Sequence, residues 1–123
     1  MKFNRLQLSA ITNLALAMAK ADGKVEQTEL IFIALELNRF GLNEEDANAI
    51  INGADEMNSS TALAIVSTMK DEEKRYVTAY LGTMIAADKD IDDKEVALWG
   101  LISALCDLPT MTIKEAVELI GNL

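Results

Sequence analysis

Two short acidic segments hold the residues whose types and spacing come closest to a binding site. Ala21-Asp22-Gly23-Lys24-Val25-Glu26-Gln27-Thr28-Glu29-Leu30 and Ala87-Asp88-Lys89-Asp90-Ile91-Asp92-Asp93-Lys94-Glu95-Val96 each place an aspartate seven residues before a glutamate. Carboxylates and backbone carbonyls are the natural ligands of calcium, magnesium and manganese, and carboxylates also ligate zinc. Asp22 with Glu29, and Asp88 with Glu95, are therefore candidate ligands of a divalent cation, with Glu26, Asp90 and Asp92 as further donors. The pattern is not an EF-hand. A loop starting at Asp88 has Asp93 where glycine is needed and Trp99 where a bidentate glutamate is needed, and one starting at Asp22 has Lys24 and Ile33 at ligand positions.

The same residues also suit a purely structural role. Asp92 stands where a helix N-cap belongs, with Glu95 three residues on to complete a capping box, and Ile91 and Val96 at the positions of a hydrophobic staple. Glu26, Glu29, Val25 and Leu30 repeat this arrangement with a weaker cap. Capping does not account for the recurrent Asp22 and Asp88, so both readings stay open.

Other chemistry is poorly provided for. Without a histidine the chain lacks the commonest general base and the usual catalytic zinc ligand. Cys106 is the one cysteine, on the same helical face as Leu98, Ile102 and Leu105, and with no histidine to serve as its base it reads as an inert core thiol. The six glycines are scattered singly and form no phosphate loop. The expectation is a protein with no catalytic residues and no organic cofactor. A carboxylate pair acting as acid and base needs a cleft and a raised pKa to be credible.

The elements that would position the acidic segments emerge when the sequence is slid along itself. An offset of 66, which is 88 minus 22, brings Asp22 onto Asp88 and Glu29 onto Glu95, with Thr12 on Thr78, Met18 on Met84, Val25 on Ile91, Leu35 on Leu101 and Leu42 on Leu108. After a short insertion Asn43 to Ile51 aligns with Thr112 to Ile120. Apolar spacing and caps predict helices over about 4–21, 27–40 and 44–53 in one copy and about 72–87, 93–106 and 112–121 in the other. A linking helix over about 60–69 starts at Ser59 or Ser60. The fold class is thus all-α: one domain over residues 1–123, a bundle of about seven helices with an internal pseudo-twofold repeat. The second helix of each copy is apolar nearly all round, which predicts that these two helices sit at the centre and bury each other.

Eleven basic against twenty acidic side chains give a net charge of -9, which repels nucleic acid and anionic membrane surfaces and favours cations or basic protein surfaces. No uncharged run reaches the roughly 18 residues of a membrane span, and a lone cysteine fits a reducing, cytoplasmic location. Met18, Met57, Met69, Met84, Met111 and Trp99 read as core.

The tandem units Met18-Ala19-Lys20-Ala21-Asp22-Gly23-Lys24-Val25 through Glu29, and Met84-Ile85-Ala86-Ala87-Asp88-Lys89-Asp90-Ile91 through Glu95, resemble the TerB-like domain, the helical family named for tellurite-resistance proteins. The resemblance covers most of the chain and departs from the family pattern at Lys89, where a glycine is expected. It implies an all-α bundle without catalytic machinery, association with stress responses and membrane-linked complexes, and divalent-cation binding centred on Asp22, Glu29, Asp88 and Glu95. The expected function is a binding or scaffolding module for a protein partner. The alternative is a small structural or regulatory subunit whose acidic loops only cap helices and which self-associates through an apolar face.

Overall fold

Five of the seven helices begin where a short polar side chain satisfies free backbone N–H groups of the first turn. Asn4 accepts the N–H of Gln7 at 2.7 Å while Gln7 accepts that of Asn4 at 3.0 Å. Asn43 caps the third helix through Asp46, and Thr112 and Glu115 form a reciprocal box at the seventh. The linking helix is capped by Asn58, one residue before the predicted serines, because its carboxamide reaches the N–H of Ser60 at 2.9 Å.

The computed structural model describes residues 2–21, 23, 25–87 and 91–123. Among them run seven helices and no strand: α1 (Arg5–Ala19), α2 (Gln27–Arg39), α3 (Glu44–Glu56), α4 (Ser59–Ser67), α5 (Asp71–Ala87), α6 (Asp93–Cys106) and α7 (Ile113–Gly121). No described helix is long and apolar enough to cross a membrane. The most extensive packing joins α5 to α7 and α1 to α3 and α4, with α1 and α5 in contact; α2 lies on α1, α3 and α5, and α6 on α1, α4 and α5. Each second helix therefore packs on the first helix of its own half and on that of the other.

The centre differs from the sequence expectation. It belongs to α1 and α5, in which residues 10–16 and 76–82 are buried without interruption. α2 and α6 instead lie on the outside, each with one buried face and with Ile31, Leu35, Leu101 and Leu105 at least half exposed. The reason is volume rather than hydrophobicity. A helix surrounded on all sides needs small residues to admit its neighbours, and α1 and α5 supply Ala10, Ala15, Ala19, Ala79 and Gly82, all buried. At Gly82 the neighbours leave no room for a side chain, since an added Cβ would lie 2.7 Å from both Ala116 Cβ and Trp99 Cζ2.

Polar groups lock this arrangement. The Asn13 amide of α1 donates to the carbonyls of Ala54 and Met57 at 2.9 and 2.7 Å, tying the central helix to the end of α3. The Trp99 indole N–H donates to Thr78 O at 3.1 Å. α2 and α6 stop in the same manner, 66 residues apart. Gly41 (φ 86°) and Asp107 (φ 54°) take the left-handed conformation, and the following Leu42 and Leu108 donate back to Leu37 O and Ser103 O at 3.4 and 2.8 Å.

Candidate functional site

The first acidic segment joins α1 to α2. The Gly23 N–H closes a turn on Lys20 O at 2.9 Å, and its φ of 90° is a conformation that side chains resist, which gives this glycine a defined purpose. Glu26 then stands half-buried at the start of α2 and donates its N–H to Glu29 Oε1 at 3.1 Å. In the second segment Asp92 caps α6, accepting the N–H groups of Lys94 and Glu95 at 2.7 and 3.4 Å. The staple positions are less enclosed than the sequence implies: Val25 packs against the core, while Leu30, Ile91 and Val96 remain exposed.

The two glutamates stand apart from the other described acidic side chains of the loops. Glu29 and Glu95 are each 1% exposed, beneath the surface in the first turns of α2 and α6. Glutamates that serve only as caps need no such depth. Glu115 completes the box at α7 from the surface, where the Thr112 N–H holds its carboxyl below the usual range. Burial of a carboxylate is costly unless charge or hydrogen bonds offset it, and the positive end of a helix dipole supplies part of that offset for both residues. Asp22, Asp88 and Asp90, the other donors expected from the sequence, lie outside the described residues, as does Lys89. Among the described residues no group of three or more Cys, Asp or Glu side chains is placed to hold a metal ion. The donor chemistry at both loops is oxygen throughout, which fits calcium, magnesium or manganese better than zinc.

One buried acidic residue escaped the sequence reading. Glu36, on α2, is 3% exposed, accepts the Tyr76 hydroxyl at 2.9 Å and lies 3.4 Å from Arg39 Nε. Burial, with the Glu36 charge second, pushes the phenols of Tyr76 and Tyr80 well above their ordinary range. A signal was present in the sequence: residues 29, 33, 36, 37 and 40 share one helical face, and an acidic side chain on the face of Ile33, Leu37 and Phe40 must be buried. Together with the edge-on stacking of Phe40 on Tyr76 at 5.5 Å, this network is a strut between α2 and α5.

A groove of about 720 Å³ lies between the N-terminal part of α5 and α7, lined by Glu72, Arg75, Glu115 and Glu118 among others. It sits at the opposite end of α5 from the second acidic segment. Its Glu115 carboxyl is driven toward the ionised form, the reverse of what a general acid requires. Cys106 is fully buried, its thiol pushed up by burial and directed at Leu63 O at 3.5 Å, so it is not a nucleophile.

The crystal structure of the protein of unknown function PG1108 from Porphyromonas gingivalis W83 is similar to this chain, with 42% identity, a TM-score of 0.88, and coverage of 100% of this chain and 99% of that one. No curated protein matches. Residues 8–118 match the family model described as tellurite resistance protein TerB, nearly the whole of a seven-helix bundle, and the chain belongs to that family.

Proposed function

We propose that the chain is a non-catalytic cytoplasmic binding module whose two acidic interhelical segments take divalent cations and so shape a surface for a protein partner. One observation carries this reading: Glu29 and Glu95, 66 residues apart in sequence, are both buried to 1% exposure at the starts of α2 and α6. Glu115, which completes the capping box of α7, stands by contrast at the surface. Glu29 with Asp22, and Glu95 with Asp88, are the ligand pairs, and Glu26, Asp90 and Asp92 stand within the same short segments. A hard cation supplies positive charge to carboxylates held out of water, and fixing a loop by its ligands fixes the direction in which the next helix leaves.

The test is an amide NMR titration of chelator-treated protein with calcium, magnesium, manganese and zinc, repeated on Asp22→Asn, Asp88→Asn, Glu29→Gln and Glu95→Gln. Saturable shifts or paramagnetic broadening confined to residues 20–30 and 86–96, lost segment by segment in the matching variant, are expected for the first three ions. The competing reading, in which the carboxylates only cap helices, draws on the two N–H groups that converge on Asp92. It requires every ion to leave both segments unmoved.

A further inference from the structure

From Val96 to Cys106 the chain contains no charged side chain and a single hydroxyl, that of Ser103. A helix apolar on all sides belongs in an interior. The fold nevertheless covers only one side of α6, through Glu95, Trp99, Ile102 and Cys106, and leaves Leu101 and Leu105 55% and 58% exposed. At about 100° per residue those two leucines form a ridge along one side of the outer face. Val96, Gly100 and Ser103 occupy the other side, where with Met111 they line a groove of about 410 Å³. The corresponding face of α2 differs, because the exposed Gln27, Thr28, Asn38 and Arg39 interrupt it at both ends.

We propose that the outer face of α6 is the interface of a homodimer in which Leu101 and Leu105 of each copy enter the groove of the other. A ridge beside a groove on one surface is self-complementary, and a twofold axis running parallel to α6 brings ridge to groove twice. Charge argues the same way. Each copy carries -9, so association is opposed wherever acidic surfaces meet and least opposed along the uncharged strip from Val96 to Cys106, where Asp107 at the far end is the one carboxylate lining the groove. Exposed Lys94 and Asp93 flank the N-terminal end of that strip on its two sides, so the same axis sets each Lys94 opposite the second copy's Asp93. α6 has 14 residues, a length of roughly 21 Å. The buried surface therefore falls at the small end of specific interfaces, about 1,200 Å² in total, with a Kd on the order of 10 µM.

Sedimentation equilibrium of the full chain, alone and as Leu101→Glu and Leu105→Glu, tests this. The wild-type mass should climb from 13.4 kDa toward twice that value as concentration passes roughly 10 µM. Both variants should remain at the monomer mass while keeping the wild-type circular dichroism, since each replaces an exposed side chain. A wild type still monomeric at about 1 mM overturns the proposal, and so does a dimer that survives both substitutions. Ala104→Cys, near the axis, should give an oxidised covalent dimer; a dimer sensitive to Leu101→Glu that this cysteine does not cross-link overturns the parallel arrangement.

Discussion

Gly82→Ala is the smallest change to this protein with a large expected consequence. In an isolated helix it would stabilise by about 1 kcal/mol, because alanine is the best helix former and glycine among the poorest. Inside α5 the new methyl would meet Ala116 Cβ and Trp99 Cζ2 at 2.7 Å and Trp99 Cη2 at 3.1 Å. Ordinary carbon contacts begin near 3.5 Å, so two neighbours must each retreat by most of an ångström. Ala116 has no rotamer with which to do so; α7 would have to move as a body, breaking the most extensive helix contact of the bundle. Trp99 is held by its bond to Thr78 O. Overpacking of this kind costs about 3 kcal/mol at the upper end of its range, which after the propensity gain leaves a net loss of about 2 kcal/mol. For a domain of this size the melting temperature should fall by roughly 6 to 10 °C, read by differential scanning calorimetry. A second arm isolates the cause: in a Trp99→Leu background, itself destabilised, adding Gly82→Ala should cost at least 1 kcal/mol less. An unchanged or raised melting temperature for Gly82→Ala alone would refute the volume argument for why α5 is central.

Asn13→Ala should destabilise by about 1 to 3 kcal/mol, because it removes two bonds and leaves the part-buried Met57 carbonyl without that donor, while Ala54 O keeps the N–H of Met57; urea denaturation checks it, and a loss under 1 kcal/mol would show that the α1–α3 tie is dispensable. Alkaline pH gives a second test. Burial raises the folded pKa of Tyr76 and Tyr80 above the unfolded value near 10, so the unfolded chain releases protons first and stability falls as pH rises past that value. Each tyrosine should contribute a loss of about 1.4 kcal/mol between pH 9 and 11. Tyr80→Phe should remove one such share, and an identical alkaline loss in the variant would mean that the phenol ionises freely in the folded state.

Much of this protein was legible without coordinates. The start of α6 followed from Asp92, whose side chain bonds the first backbone N–H groups of its own helix; Asn4, Asn43 and Thr112 serve their helices in the same way. The stop after α2 followed from Gly41 at its left-handed position. Such features lie within one or two helical turns, so residue type and spacing decide them. The linking helix shows the limit: Asn58, Ser59 and Ser60 are all competent caps, and only the backbone path selects the first.

The order of the layers was not legible. Hydrophobic content pointed to α2 and α6 as the centre, but which helix can be surrounded depends on how closely its neighbours approach. That is decided between residues far apart in sequence, such as Gly82 with Trp99 and Ala116. The acidic segments divide in the same way. Spacing alone picked out Glu29 and Glu95 as a repeated pair, whereas only the packing of the bundle around α2 and α6 put both carboxylates below the surface and left Glu26 and Asp92 at its edge. Glu36 became a buried strut because Tyr76 arrives from α5 to donate to it. Sequence by itself determined helices, caps and the two acidic stations, since those are local properties of a 3.6-residue period. Tertiary structure decided depth, because burial is set by what covers a residue, and what covers it comes from elsewhere in the chain.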